Sequence, residues 1–286
     1  MTDVLMEVVR ISALVFVLSS MLAMGLSLTI PQIVEPLKNL RLVIFALLAN
    51  FVAVPLLAWG INAVMNLDTD LYTGLILVAT AAGAPFLPKL AQTAKGSIPL
   101  SVGIMVLLMV VTVVYVPLVL PLFLSGVEVS AWDIATSLIT SMLVPLGIGL
   151  FMKARWSDMA DGLHPYMAHA SSVAILFMMV GGIVLSWSTM VALVGTGGLF
   201  AAIVFLVGAL LIGLLAGSAV PGARSVLGLG TAQRNLSAAL VVGVQNFSGD
   251  SLTFVIVIAM VGLAFLLPLA AEMGKNAAAA AARGSS

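Results

Sequence analysis

The sequence predicts an all-α polytopic membrane protein, because it is very apolar, carries few charges and contains long apolar runs. Of its 286 residues, 62% are hydrophobic and 8% are charged, whereas about a quarter of the residues in a soluble domain are charged. The formal net charge is zero and the chain contains no cysteine. This composition gives no indication of a nucleic-acid partner, and it excludes disulfides, thiolate metal sites and a cysteine nucleophile.

Nine apolar segments are long enough to cross a bilayer, which takes about 20 residues. They lie near residues 11–30, 42–64, 71–94, 97–124, 132–152, 166–187, 190–218, 224–247 and 251–271. The gaps between them are short, so we expect one helical bundle over residues 1–276, since lipid cannot satisfy free backbone groups. Acidic residues near the start argue against a signal peptide, so the first run is expected to be a retained span. Residues 277–286 form a low-complexity tail that we set aside.

Charges in the loops alternate in sign along the chain. Basic residues occupy one set of loops and the C-terminal end: Lys38, Arg41, Lys153, Arg155, Arg224, Lys275 and Arg283. The opposite loops carry Asp68, Asp70, Glu128, Asp133 and Asp250. The positive-inside rule therefore predicts a cell inner (cytoplasmic) membrane protein with its N-terminus outside and its C-terminus in the cytoplasm. An odd number of spans also suits an inverted repeat that lacks one helix.

Two of the nine spans contain sequences that interrupt a helix. Residues 82–89 read Ala-Gly-Ala-Pro-Phe-Leu-Pro-Lys, and residues 228–235 read Gly-Leu-Gly-Thr-Ala-Gln-Arg-Asn. Proline and glycine disfavour continuous helix, and the residue before a proline is biased away from helical geometry. The alternative is a simple kink in each span, since both residues are common in membrane helices. Because the interruptions occupy corresponding positions in two halves, we interpret them as a binding site near the midplane.

A cation accompanies each interruption. Lys89 precedes the loop residue Lys95 by about 9 Å of helix, and Arg234 follows Arg224 by about 15 Å. An ionised side chain at that depth costs at least ~2.5 kcal/mol unless it faces a cavity or a partner, and no acidic residue lies in the interior of the predicted spans. The two cations therefore predict an anionic guest. Snorkelling to the surface is the alternative for both, and it is harder for Arg234.

Neutral polar residues near the interruptions complete the candidate binding set. The predicted substrate-binding residues are Arg234, Lys89, Asn235, Gln233, Thr231, Asn50 and Gln92. Any single one of the neutral residues could instead form a hydrogen bond between helices. We expect His164 to be solvated in a loop and His169 to be a packing donor, with a proton relay left open. The sequence lacks a zinc-protease motif, a phosphate-binding loop and a carboxylate pair within a span, so we expect no enzyme, catalytic residue, metal or cofactor.

Four segments in order resemble signatures of the bile acid:sodium symporter family, and they are spread over most of the chain. They are residues 21–29 (MLAMGLSLT), 50–56 (NFVAVPL), 94–103 (AKGSIPLSVG) and 230–235 (GTAQRN). The resemblance implies inverted repeats and two discontinuous helices that cross at the midplane beside the substrate. It also implies a core domain, which we assign to 42–124 and 166–247. The remaining spans, 11–30, 132–152 and 251–271, are assigned to a panel domain.

The sequence departs from this family at the sodium ligands. In place of a Ser-Asn pair it has Leu87-Pro88, and Ser101 is kept while Met105 replaces a threonine. The glutamate that bridges both sodium sites in the family corresponds to Gly230, and a glutamine of the second site corresponds to Arg234. Another second-site glutamine is replaced by Asn50, which is a conservative change. Ser101, Asn50 and Gly230 thus mark weak or lost sodium sites. Our hypothesis is that Lys89 and Arg234 stand where sodium charges would sit, which leaves a role for sodium uncertain.

These features together predict a secondary carrier for a small organic anion that works by alternating access. Uniport, exchange and proton coupling all stay open, as does the choice between a monomer and a homodimer in the lipid bilayer. One alternative is a metalloid or oxyanion exporter of related fold, since oxyanion capture needs no thiol. A second alternative is a transport-inactive membrane sensor.

Overall fold

The computed structural model describes residues 2–124, 130–185, 187, 191, 195–247 and 249–284, and its ordered elements are all helical. We number the helices in chain order. They are α1 Thr2–Ser27, α2 Ile30–Val34, α3 Leu40–Met65, α4 Thr69–Thr80, α5 Leu87–Thr93, α6 Ile98–Phe123, α7 Ala131–Arg155, α8 Ser157–Leu185, α9 Gly198–Ser218, α10 Arg224–Ala232, α11 Leu236–Asn246 and α12 Gly249–Gly284. This confirms the expected all-α class.

Six of the described helices are long and apolar enough to cross a membrane, namely α1, α3, α6, α7, α9 and α12. The chain is therefore a multi-pass membrane protein. Two other predicted spans each consist of two short helices, α4 with α5 and α10 with α11. The count of nine spans and the inverted repeat stay predictions. Glu128, some residues at the start of the predicted 190–218 span and the last two residues of the tail lie outside the described residues.

Local chemistry explains several helix boundaries. Helix α3 ends because Asn66 adopts a left-handed backbone with φ 48°, and its N–H donates to the Asn62 carbonyl at 2.8 Å, as is common at helix C-termini. Helix α12 continues through the alanines of the tail to Gly284. Alanine has the highest helix propensity, so the segment set aside as low-complexity extends the last helix.

Helix α3 contains a π-helical turn over Ala49–Ala53, immediately before the Val54-Pro55 pair. Pro55 has no N–H to donate to the Phe51 carbonyl one turn earlier. The hydroxyl of Tyr115, on α6, donates to that carbonyl at 2.6 Å instead. The widened turn also contains Asn50, which is fully buried, so the proline and its compensation bring a polar side chain into the centre of the bundle.

Helix packing divides the described bundle into groups. Helix α1 packs most extensively against α8 and α7, whereas α12 packs against α4 and α9 packs against α10. At the crossing of α1 and α7, Gly25 and Gly149 bring the two backbones into direct contact, since a Cβ at either glycine would meet backbone atoms of the other helix. Small residues allow such close approach in membranes. The assignment of 42–124 and 166–247 to a core and of 11–30, 132–152 and 251–271 to a panel stays a prediction.

Candidate functional site

The first interruption, between α4 and α5, is fixed by glycine geometry and by a hydroxyl from α6. Gly83 has φ +80°, and a Cβ there would collide with backbone atoms of Met105 and Met109. Nearby, the Ala82 N–H donates to the Thr112 hydroxyl at 3.0 Å, and that hydroxyl donates back to the Ala82 carbonyl at 3.1 Å. The unwound backbone is therefore held against α6 instead of being left unsatisfied.

The second interruption, between α10 and α11, contains no proline and depends on Asn235. Its side-chain oxygen accepts from the Ala238 N–H at 3.1 Å and so caps α11. Its Nδ2 donates to the carbonyls of Ala82 at 3.2 Å and Gly83 at 3.0 Å. Its own N–H donates to the Ala81 carbonyl at 3.0 Å. These bonds join the two interruptions directly, so the two broken segments cross at this point.

Arg234 is buried beside this crossing, with 7% of its surface exposed. Its Nε donates to the Val78 carbonyl at 3.2 Å and its Nη2 to the Ala79 carbonyl at 2.7 Å. Its Nη1 donates to Asn50 Oδ1 at 2.6 Å and to the Thr231 carbonyl at 3.2 Å. We call these four oxygens the oxygen cage. No ion pair to Arg234 occurs among the described residues.

Asn50 and Thr231 support this arrangement from either side. Both are fully buried. Asn50 Nδ2 donates to the Ala46 carbonyl at 3.0 Å and to the Thr231 hydroxyl at 3.2 Å. These bonds fix which end of the amide faces Arg234, so the oxygen, the only end that can accept, points at the guanidinium.

A cavity of about 430 Å³, which we call the chamber, lies between the interruptions and helices α1, α8 and α12. Ser237 Oγ and Gln233 Oε1 line it, and neither buried atom has a hydrogen-bond partner in the described part of the protein. Buried polar atoms are nearly always satisfied, so these two are suited to a bound molecule. The opposite wall is apolar and includes Phe16, Ile175 and Leu206.

A second cavity of about 550 Å³, which we call the vestibule, is lined by Lys89, His164 and Gln32. It shares Ser20, Pro85 and Ser171 with the chamber. The two cavities therefore adjoin at these shared residues, which belong to α1, the first interruption and α8. Neither lining contains an acidic residue among the described positions.

The structure divides the predicted substrate-binding residues into two sets. Gln233 and Arg234 line the chamber and Lys89 lines the vestibule. Asn50, Thr231 and Asn235 are fully buried in the crossing and are absent from both described linings.

Gln92 is exposed and is also absent from both linings. Lys89 is exposed too, and its ammonium has no ion pair in the described part of the chain. His164, expected to be solvated, is half-buried in the vestibule.

Sequence reasoning missed several hydroxyls that the fold brings to the site. Ser20, Ser171, Ser172 and Ser237 line the chamber, and Thr112 holds the first interruption. Serine pairs inside two apolar spans, at 19–20 and 171–172, were the available signal. They carried little weight because a membrane serine usually bonds within its own helix, as Ser20 does to the Val17 carbonyl at 3.0 Å.

The residues at the expected sodium positions do not fit sodium, which like other hard cations requires oxygen ligands. Leu87 packs against Gly230, where an added Cβ would lie 2.8 Å from Leu87 Cδ2. Met105 is buried, and the Ser101 hydroxyl donates to the Ile98 carbonyl of its own helix at 2.7 Å. The other position holds the Arg234 guanidinium against Asn50. The residues that the resemblance implies for sodium thus present apolar carbon at one place and a fixed cation at the other, and weak or lost sodium sites stay a prediction.

Comparison with known proteins identifies relatives of this chain. The model of the Sodium Bile acid symporter family matches residues 14–193. An uncharacterized sodium-dependent transporter of Bacillus subtilis, YocS, is 28% identical over 166 residues, which are 57% of this chain and 52% of the relative. The probable chloroplastic sodium/metabolite cotransporter BASS2 of Oryza sativa is 32% identical over 132 residues, 46% of this chain and 31% of the relative.

A probable chloroplastic sodium/metabolite cotransporter of Arabidopsis thaliana, BASS3, is 24% identical over 154 residues, 54% of this chain and 36% of the relative. The matched segments thus span about half of the bacterial relative and about a third of each plant relative. The family and these relatives are transporters, which confirms the expectation of a transporter and not an enzyme. With the family model matching more than half of its length, the chain belongs to the Sodium Bile acid symporter family.

Proposed function

We propose that this protein carries a small organic anion across the cytoplasmic membrane by alternating access, with the substrate held in the chamber. The observation that carries the proposal is the position of the two unpartnered polar atoms, Ser237 Oγ and Gln233 Oε1, in a cavity at the crossing. Interrupted helices that meet inside a bundle are typical of the substrate sites of secondary transporters.

The charges around the two cavities favour an anion. Lys89 in the vestibule and Arg234 in the chamber are cationic. A bound cation would find no carboxylate in the described linings. The apolar chamber wall, with Phe16, Ile175 and Leu206, favours a substrate that has an apolar body beside its charged and hydroxyl or carbonyl groups.

The residues that line the chamber come from two groups of helices, which supports movement between two parts of the molecule. Ser20 and Ser171 come from helices that pack together, whereas Gln233 and Ser237 come from the second interruption and α11. A displacement of α1, α7 and α8 relative to the crossing would close the vestibule and open the other side. The loop charges favour a vestibule that faces the cytoplasm, with the N-terminus outside.

Coupling is proposed to be independent of sodium, because Leu87 and Arg234 stand where the family resemblance implies sodium ligands. The substrate's own gradient, or exchange for a second anion, would then drive transport. Symport with a proton stays open.

Counterflow in proteoliposomes tests the proposal. A panel of organic acids screened by thermal shift should first identify the substrate, because ligands stabilise the folded state. Proteoliposomes loaded with that acid in unlabelled form should then accumulate the labelled acid from outside. Ser237→Ala should slow counterflow several-fold. Ser218→Ala is the matched control, because Ser218 is exposed and donates only to the Leu215 carbonyl of its own helix, at 2.6 Å.

Other outcomes would select the alternatives. Ligand binding without counterflow would favour a transport-inactive sensor. Restored arsenite resistance in a sensitive host, without uptake of organic acids, would favour a metalloid exporter. Thermal stabilisation by cations or sugars alone would contradict an anionic substrate.

A further inference from the structure

The oxygen cage around Arg234 joins the ends of two half-helices. Val78 and Ala79 lie in the last turn of α4, and Thr231 lies in the last turn of α10. Carbonyls at a helix C-terminus lack the usual donor one turn later in the helix and carry a partial negative charge. The Val78 carbonyl also accepts from the Ala81 N–H at the end of α4, at 3.3 Å. Both of these C-terminal ends point at one guanidinium, at 2.7 to 3.2 Å.

The chemistry of the cage is that of a site for a monovalent cation. It consists of three backbone carbonyls and the amide oxygen of Asn50, and hard cations take oxygen ligands of this kind. A carboxylate is absent from the described cage, so the dipoles alone offset the charge of Arg234. Without a cation between them, the four inward-pointing oxygens would face each other in a dry interior, which is unfavourable.

Arg234 is therefore committed mainly to the cage and not to the substrate. Its four hydrogen bonds use Nε, both N–H groups of Nη1 and one of Nη2. Only the second N–H of Nη2 is left for the chamber, which Arg234 also lines. A residue that served only to attract the anion would present more of its donors to the cavity.

We propose that Arg234 is a tethered cation that replaces an exchangeable ion at the crossing. The guanidinium holds the C-terminal ends of α4 and α10 together permanently, so the crossing keeps its cation-loaded arrangement through the whole cycle. Free monovalent cations cannot enter while the side chain is present. Shortening Arg234 opens the cage to them, and the protein then becomes dependent on sodium or on added guanidinium. The activity readout rests on the proposed transport function, whereas the binding readout does not.

The direct test is thermal unfolding of the purified protein in detergent, with 100 mM sodium chloride compared with 100 mM choline chloride. The wild-type Tm should be the same in both salts. Arg234→Gln should unfold at lower temperature in choline and should gain at least about 2 °C in sodium, because a cation that binds only the folded state stabilises it. Arg224→Gln is the matched control: Arg224 is exposed at the start of α10, and its loss should give no sodium dependence.

A second probe uses the missing chemical group itself. Arg234→Ala should be stabilised by 10 mM guanidinium chloride relative to 10 mM choline chloride. This concentration is too low to act as a denaturant, given slopes of a few kcal/mol per molar. Wild type and Arg224→Gln should not be stabilised. Arg234→Lys keeps the tethered charge, so it should stay insensitive to both sodium and guanidinium.

Several results would overturn the inference. A wild-type Tm or counterflow rate that rises with sodium would show an exchangeable site. Folded Arg234→Gln and Arg234→Ala proteins that respond to neither probe would show that the cage does not hold a free cation. If both variants fail to fold, a Tm that rises with sodium in the wild type or in Arg234→Lys would still overturn the inference, and equal Tm values in sodium and choline for both proteins would support it.

The two proposals can fail separately. If counterflow is absent for every acid but Arg234→Gln gains sodium-dependent stability, the transport function fails and the tethered cation stands. If the wild type shows counterflow that requires sodium, the transport function stands and the tethered cation fails.

Discussion

The side chain of Asn235 makes three hydrogen bonds, and they explain why an asparagine occupies this position. It caps α11 through its side-chain oxygen, and its nitrogen donates to the carbonyls of Ala82 and Gly83 in the other interruption. Only an amide offers an acceptor and two donors on one short side chain. Aspartate would keep the cap but would set a carboxylate against two carbonyls.

Asn235→Ala should therefore lower the free energy of unfolding by about 2 kcal/mol or more, since it removes a helix cap and leaves buried backbone groups unpaired. The measurement is the denaturant or thermal unfolding transition of the purified protein. Asn246→Ala is the control on the same helix, because Asn246 is only partly buried and donates to its own turn at Val242. Equal losses for both variants would contradict the assigned role of Asn235.

The sequence located the charged and amide side chains of the crossing but not their partners. Arg234 was identifiable because a cation deep in an apolar span needs an explanation. Its partners at Val78 and Ala79 are backbone carbonyls, which every residue has, so no residue type marked them. For the same reason the structure, and not the sequence, shows that Arg234 faces protein oxygens more than the chamber.

Helices α5 and α10 meet where Leu87 covers Gly230. The contact is tight, since a Cβ added to Gly230 would lie 2.8 Å from Leu87 Cδ2. In this pair a larger apolar side chain fills the space beside a residue that has none. Close packing makes such pairs interdependent.

Gly230→Ala should lower the free energy of unfolding by about 1–2 kcal/mol, because overpacking outweighs the gain in helix propensity. In a Leu87→Ala background the same change should be neutral or stabilising, which gives a coupling energy in a double-mutant cycle. Gly60→Ala is the control, since Gly60 also lies in a helix but a Cβ there would meet no atom within 4 Å. Additive effects of the two changes would show that Leu87 and Gly230 do not depend on each other.

Gly83 separates the effect of backbone strain from that of close packing. Gly83→Ala combines a left-handed φ of +80° with a collision against the α6 backbone. Gly222→Ala introduces backbone strain alone, because Gly222 has φ +75° and a Cβ there would meet no described atom within 4 Å. It should lower the free energy of unfolding by about 1–2 kcal/mol. Gly83→Ala should cost at least about 2 kcal/mol more, measured as unfolding of both purified variants. Equal costs would show that the approach to α6 is not tight.

The two interruptions were predictable to different degrees. The first follows from Gly83, Pro85 and Pro88, which act through their own backbone chemistry and leave a clear signal in the sequence. The second has no proline, and it ends α10 through the extended backbone of Gln233 and the cap at Asn235. That segment could be located by its sudden polarity, but its geometry depends on contacts with the first interruption.

Across the bundle, α1, α7 and α8 pack mainly against one another, and α1 and α7 also contact α11 beside the crossing. Gly25 and Gly149 allow the backbones of α1 and α7 to come into direct contact. The sequence alone does not predict these neighbours, because similar apolar spans differ in which helix they face, and that choice depends on small-residue contacts spread along the chain. The chamber lies between this group and the crossing, where relative motion would change its access.

The absence of native cysteine allows this movement and the orientation to be tested with single introduced thiols. Lys89→Cys in the vestibule should react with a membrane-impermeant maleimide from the cytoplasmic side, and Asp68→Cys, in the exposed loop between α3 and α4, from the opposite side. Ser237→Cys should react from the cytoplasmic side, and a transported organic acid should slow its labelling because the acid occupies the chamber or favours the closed form. The same acid should leave Asp68→Cys unaffected, since that position lies outside both cavities. Labelling from reversed sides would refute the orientation, and unchanged labelling of Ser237→Cys under counterflow conditions would refute the chamber as the substrate site.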